Sequence, residues 1–212
     1  MAKPVIFGAG GNVGRMVVRE ALRRGHAVTA VVRDPARLRG LNADGARVEA
    51  GDVTHAQQVL ALAEGHETII STATRYNPGS DSDAFCTAST RALLGAARES
   101  SAHRLVIVST MAILRDASGA LLADAPLFPD ETRPFIRSHA LGLELLRSEG
   151  ENVDWLYLSP SGNFAGGGRS GRYRVREHGS WSDGISHSDL AVAVVDESER
   201  PAHHRIRLAV AQ

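Results

Sequence analysis

Val5-Ile-Phe-Gly-Ala-Gly-Gly-Asn-Val-Gly14 is a run of three apolar residues followed by glycines at 8, 10, 11 and 14. Beyond Gly14 the apolar residues Met16, Val17 and Ala21 recur at helical spacing until Gly25. The stretch reads as a short buried strand, a tight glycine turn and the first turns of a helix. A bound pyrophosphate needs that order, because the N–H groups of a helix N-terminus then point at its oxygens. Gly8 permits the sharp turn, Gly11 lets backbone approach a phosphate, and Gly14 lets the helix pack closely on the strand. Gly10, Asn12 and Val13 complete the candidate turn. A glycine triplet alone is a weak signal. Its place between a strand and a helix strengthens it.

Working outward, residues 27–32 form a second strand, bounded by Gly25-His26 and by Arg33-Asp34-Pro35. Asp34 is placed to cap a short helix with Pro35 in its first position. Arg33 falls at the carboxyl end of the strand, beside the adenosine ribose of a bound dinucleotide. A guanidinium there suits a 2′-phosphate and favours NADPH, whereas an acidic residue, as Asp34 is, would favour NADH. Residues 46–49 make a third strand, and Thr54 caps a helix reaching Leu62. Asp52 and Val53, at that strand's end, can accept from the adenine amino group and flank its ring, or serve simply as a turn. Residues 67–71 are a fourth strand, and Ser71, Thr72 and Ala73 open a loop small enough to admit a cofactor ribose.

Residues 76–82, with Pro78-Gly79, read as loop, and residues 83–99 as a long helix. Cys86 within it reads as a small buried side chain. A fifth strand over 105–108 ends in Ser109-Thr110. Residues 111–134, with prolines at 126, 129 and 134, form a long excursion of the kind that serves as a lid. Helical periodicity returns over 135–149, and residues 155–158 are a sixth strand, with Pro160 just beyond it. Residues 166–170 read as a flexible loop and 173–175 as part of a small hairpin. Ser188 reads as the cap of a helix over 189–195, and 206–210 as a last strand.

Strands alternating with helices imply an α/β fold: a Rossmann-like, doubly wound parallel sheet in the order 3-2-1-4-5-6, with 206–210 available as a seventh strand. Residues 1–212 read as one NAD(P)-binding domain, in which 161–188 contribute a small C-terminal substrate lobe. Lys and Arg number 24 against 24 Asp and Glu, so no nucleic-acid partner is expected, despite Arg169, Arg172, Arg174 and Arg176 lying close together. No run approaches the ~18 apolar residues of a membrane span, and a core strand begins too early for a signal peptide. A single cysteine fits a reducing cytoplasm. A cytoplasmic monomer or homodimer is expected. His203-His204 lacks a third spaced ligand, so no metal is expected. No Gly-x-Ser-x-Gly elbow suggests a hydrolase.

Many oxidoreductases of this architecture use a Tyr-x-x-x-Lys pair. Here Lys3 is the only lysine, and Tyr76, Tyr157 and Tyr173 have none beside them. Near the carboxyl edge of the sheet remain Ser109, Thr110 and His139. Thr110 and His139 are the candidate catalytic residues, the histidine orienting substrate or giving a proton and the threonine hydrogen-bonding it. Hydride transfer to an isoalloxazine needs little beyond stacking against a nicotinamide.

Several further motifs occur in order: Gly25-His-Ala-Val-Thr-Ala-Val-Val-Arg-Asp-Pro35, Gly51-Asp-Val-Thr54, Asp124-Ala-Pro-Leu-Phe-Pro129, Asp154-Trp-Leu-Tyr-Leu-Ser-Pro160, Gly171-Arg-Tyr-Arg174 and Ile185-Ser-His-Ser-Asp-Leu-Ala191. With the glycine turn, they resemble the NADH-flavin reductase group of atypical short-chain dehydrogenases, within the NAD(P)H-binding, NmrA-like superfamily. The resemblance spans essentially the whole chain. It implies a Rossmann fold, a nicotinamide cofactor and kinship with flavin/biliverdin reductase, whose serine after strand five is matched by Thr110 and whose helix histidine by His139. The expected activity is an NADPH-dependent reductase, with NADH as the alternative cofactor. Flavin, or a similar planar small molecule, is its acceptor rather than a bound cofactor. The rival expectation is a non-catalytic, NmrA-type sensor of NADP(H) acting through a partner protein.

Overall fold

The computed structural model of the chain describes residues 2–37, 44–76 and 80–212. The turn read at Pro78-Gly79 lies outside them. Ten strands and five α-helices alternate among the described residues. They are β1 (Pro4–Phe7), α1 (Asn12–Arg23), β2 (Thr29–Val32), β3 (Arg47–Ala50), α2 (Ala56–Ala63), β4 (Thr68–Ser71), α3 (Ser82–Glu99), β5 (Arg104–Val108), α4 (Arg133–Glu149), β6 (Trp155–Pro160), β7 (Asn163–Ala165), β8 (Arg174–Arg176), β9 (Gly184–Ser186), α5 (His187–Glu199) and β10 (Ile206–Ala211).

Eight strands form one sheet in the order β3-β2-β1-β4-β5-β6-β10-β8. Every pairing is parallel except β10 with β8. The sheet is therefore the doubly wound, Rossmann-like one expected, carried further by β10 and β8. The apolar runs of the central strands are buried on both faces, as a sheet sandwiched between helices requires. On one face Val5, Phe7, Ile69, Leu105, Ile107 and Tyr157 pack with residues of α2, α3 and α4. On the other, Ile6, Ile70, Val106, Leu156, Leu158 and Val210 pack with residues of α1 and α5. Alternation along each strand, one residue to each face, divides the two cores.

The structure corrects several local expectations. Asp52 Oδ1 accepts from the Thr54 N–H at 2.9 Å and the Thr54 hydroxyl at 2.7 Å, which holds Thr54 in a turn. α2 therefore begins at Ala56, with His55 at the cap position and no side-chain cap there. Asp34 accepts from the Ala36 N–H at 3.1 Å, and the described part of the turn that follows, Pro35–Arg37, is 3-10. Ser186, not Ser188, caps α5, taking the Asp189 N–H at 3.0 Å. Residues 173–175 do not form a local hairpin, because Val175 pairs antiparallel with Val210 at the edge of the sheet.

The glycine-rich segment around 166–171 is also anchored rather than free. Asp189, fully buried, accepts from the Ser170 N–H at 2.9 Å, the Gly171 N–H at 2.7 Å and Gln212 Nε2 at 2.7 Å. Arg169 Nε reaches Glu20 on α1 at 2.8 Å. Within 161–188, β7 and β9 pair parallel in a ribbon of their own, while β8 completes the large sheet.

Candidate functional site

The turn after β1 is built by backbone. Gly8 holds φ of +76°, a conformation open to glycine at little cost, and the Gly11 N–H returns to the Gly8 carbonyl at 3.0 Å. A Cβ on Gly8 would lie 2.6 Å from Ala73 N, and one on Gly14 would lie 2.2 Å from the Gly8 carbonyl oxygen. Strand, turn and helix can meet this closely only through glycine. At Gly11 the situation differs. Its added Cβ would meet only the Gly8 oxygen, at 3.5 Å, and the residue is exposed at the cap of α1 without a side-chain cap bond. The helix N-terminus is left open there for an external anion. Asn12 is exposed, Val13 is half-buried against the α1 side of the core, and Gly10 accepts from Arg15 Nε at 3.0 Å. That bond folds the Arg15 guanidinium back onto the turn. Its one signal in the sequence is an arginine directly after the last glycine.

The remaining candidates stand along the same carboxyl edge, in sheet order. Asp52 and Val53 follow β3, Arg33 follows β2, the glycine turn follows β1, Ser71 to Ala73 end β4, Ser109 and Thr110 follow β5, and Pro160 ends β6. Arg33 is exposed and close enough to Asp52 to help hold its carboxyl down. Burial acts to raise Asp52, but the two Thr54 bonds, His55 and Arg33 outweigh it, so the carboxyl lies below its ordinary value. The Val53 side chain is buried in the core, which leaves its backbone at the edge. Thr72 donates to the Gly8 and Phe7 carbonyls at 3.1 and 3.3 Å and ties the end of β4 to the turn. Ser71 is buried and accepts from the Ala73 N–H at 3.4 Å.

His139, on α4, is buried beneath this edge. Its Nδ1 lies 3.2 Å from Ser109 Oγ and 3.3 Å from the Tyr157 hydroxyl, and its Nε2 lies 3.4 Å from Thr74 Oγ1. Tyr157 also reaches the His139 carbonyl at 3.1 Å. With the tyrosine proton given to that carbonyl, Ser109 O–H donates to Nδ1 and Nε2–H to Thr74, which fixes the tautomer by the network. Burial lowers the imidazole from 6.5 to about 4, so it is neutral at pH 7. Burial likewise drives the Tyr157 phenol far above its ordinary value. Neither group delivers a proton readily at neutral pH.

The partner expected of His139 was Thr110, and here the structure differs. Thr110 Oγ1 accepts from the Ala112 N–H at 3.3 Å and caps the 3-10 turn Met111–Ile113, so the preceding residue, Ser109, meets the histidine. Consecutive residues at a strand end point to opposite sides, and the sequence alone left open which of the two turned inward. A cavity of about 20 Å³ lies between Ser71, Ala73, Thr74, Phe85 and His139. Phe135 meets His139 edge to face at 4.6 Å, and Tyr76, itself exposed, meets Phe135 the same way at 5.1 Å. His203 and His204 turn to different carboxylates, Glu197 at 2.5 Å and Asp154 at 2.9 Å.

Comparison with known proteins accords with this edge. A family model described as NAD(P)H-binding matches residues 8–201. The chain is 29% identical over 215 residues to the uncharacterized protein YwnB of Bacillus subtilis, covering 97% of this chain and 96% of that one. Among solved structures, a Burkholderia pseudomallei protein, described as a candidate exported protein, superposes with a TM-score of 0.84 at 30% identity, covering 100% of both chains. A candidate NADH-flavin reductase from Streptococcus pneumoniae superposes with a TM-score of 0.82 at 26% identity, again over 100% of both. The match over 8–201 contains the whole glycine turn and every candidate residue along the edge, and the chain belongs to the NAD(P)H-binding family.

Proposed function

We propose that the protein is an NADPH-dependent oxidoreductase that passes hydride to a flavin or a similar planar acceptor bound as substrate. Gly8, Gly10, Gly11, Asn12, Val13 and Gly14 hold the pyrophosphate, and the exposed Arg33 takes the 2′-phosphate in preference to a bare ribose. Asp52 and the Val53 backbone border the adenine, while Ser71, Thr72, Ala73, Ser109 and Pro160 border the nicotinamide end. NADPH held there would supply the hydride and be oxidised to NADP⁺. His139 and Ser109 position the acceptor's polar edge, and Thr110 shapes the loop beside them. Residues 161–188 serve as the substrate lobe of one domain, meeting the excursion where Trp181 packs on Phe128 at 5.3 Å.

The observation that carries this reading is that, among the described residues, the titratable groups nearest the turn give up no proton readily at neutral pH. His139 is neutral, Tyr157 is held protonated by burial, and Lys3 lies before β1, at the opposite edge of the sheet. An acceptor that takes its proton from solvent after receiving hydride, as a flavin or quinone does, suits such a site. A protein in the cytoplasm, where reduced nicotinamide is abundant, fits the single, unpaired cysteine. Steady-state oxidation of NADPH with FMN or a quinone tests the proposal, and turnover with one of them is the expected result. Tight NADPH binding with no turnover on any planar acceptor would replace it by the sensor reading.

A further inference from the structure

Along α4, and separate from the small cavity at His139, lies a second, larger cavity of about 630 Å³, lined by α4, by the excursion and by Arg207 of β10. None of the residues assigned above to the cofactor or to hydride transfer lines it. Ile113, Leu121, Ile136 and Leu143 form an apolar part of its lining, and charged side chains form the rest. Arg207 alternates along β10 with Ile206 and Leu208, which belong to the opposite core, so its side chain is committed to this face. Its Nη1 is buried and has no hydrogen-bond partner among the described residues. An unpartnered buried donor has lost its water with nothing in exchange, a cost that rises when the group is charged. Burial, together with the neighbouring cations Arg147 and Arg115, pushes the guanidinium below its ordinary range, and Glu177 opposes them.

The groove carries five arginines against three carboxylates, Asp124, Asp130 and Glu144. Arg133 is engaged by Asp130 at 2.8 Å and Arg137 by Asp83 at 2.7 Å. Arg115 donates to the Gly119 carbonyl at 2.8 Å, and the positive charge at Arg115, Arg147 and Arg207 is the part left without a close carboxylate partner among the described residues. A volume of this size, apolar side chains and a few convergent polar groups are the attributes of a small-molecule site.

We propose that this groove is a second binding site, separate from the cofactor cleft, for a small amphipathic anion. The carboxylate, sulfonate or phosphate head sits on Arg207 and Arg147, and the apolar body lies between α4 and the excursion. An anionic oxygen accepts from Arg207 Nη1 and completes its hydrogen bonding, while Ile113, Leu121, Ile136 and Leu143 shed water against the body of the ligand.

The test is a fluorescence titration with 8-anilinonaphthalene-1-sulfonate in saturating NADPH, beside N-phenyl-1-naphthylamine, which has the same rings and no charge. The expected result is saturable sulfonate binding that persists with the coenzyme bound. Arg207→Met, which keeps the volume and removes the unpaired donor, should weaken the sulfonate at least tenfold and the uncharged probe less than twofold, and it should melt no lower than wild type. Should that variant not fold, Arg147→Gln on the groove's rim is expected to weaken the sulfonate alone, by at least threefold. Displacement of the sulfonate by NADPH, equal losses for both probes, or unchanged sulfonate affinity in a folded variant would overturn the proposal.

Discussion

Arg33 stands exposed at the end of β2, within electrostatic reach of Asp52 and outside any ion pair given by the described residues. A charge-assisted bond from it to a 2′-phosphate contributes about 1.5–3 kcal/mol, or roughly 10–100-fold in affinity. Arg33→Ala should therefore weaken NADPH by that factor and leave NADH within about threefold, as read by calorimetric titration of each. Equal losses would remove the assignment. The same titrations on Arg15→Ala would show whether the guanidinium folded on Gly10 also reaches the coenzyme. Neither arginine stood out by type alone, because arginine is the commonest cation of the chain. Arg33 was legible because a strand end fixed its position, whereas Arg15 gained meaning only from its bond to the Gly10 carbonyl.

Among the elements, β1 to β6 and β10 were legible from short runs bounded by glycine, proline or charged residues, whereas the three-residue strands β7 and β9 carry no such run and β8 finds its partner only in distant β10. Helix starts were less so. Thr54 and Ser188 both look like caps, but Asp52 bonds Thr54 into a turn and Ser186 takes the cap of α5. The burial of Asp189 was illegible for the same reason, since its donors lie on segments distant in sequence. That carboxylate joins the 166–171 segment, the cap of α5 and Gln212 through five donated bonds, from Ser170 N and Oγ, Gly171 N, Ser186 Oγ and Gln212 Nε2. Asp189→Asn replaces one acceptor oxygen by a donor in a cluster of donors. Denaturant unfolding should show a loss of about 2–4 kcal/mol, and limited proteolysis should cut first around residues 166–168. A loss below 0.5 kcal/mol with unchanged cleavage would show that the segment is held by other contacts.

For the molecule as a whole, the two-faced core and the edge of polar groups above it respond to pH through His139. Its pKa falls from 6.5 to about 4 on folding, because burial penalises the charged ring. As pH drops through this window the unfolded chain takes up the proton first. Stability is therefore complete above about pH 6.5 and lost progressively toward pH 4, by about 2 kcal/mol between pH 7 and pH 5. His187, also lowered by burial, adds in the same direction. Urea unfolding of His139→Gln at both pH values isolates the difference: the variant should lose about 2 kcal/mol less than wild type over that interval. Parallel slopes would mean that the ring is hydrated in solution.

The proposed function turns on the open cap of α1 holding the pyrophosphate of a nicotinamide coenzyme. Gly11→Asp separates binding from folding, because aspartate is a good helix cap and the added Cβ meets only the Gly8 oxygen, at 3.5 Å. Calorimetric titration with NADPH should give saturable heat for wild type and none for Gly11→Asp, while the variant melts at or above the wild-type temperature. No heat from wild type, or equal heat from both proteins, would contradict the account.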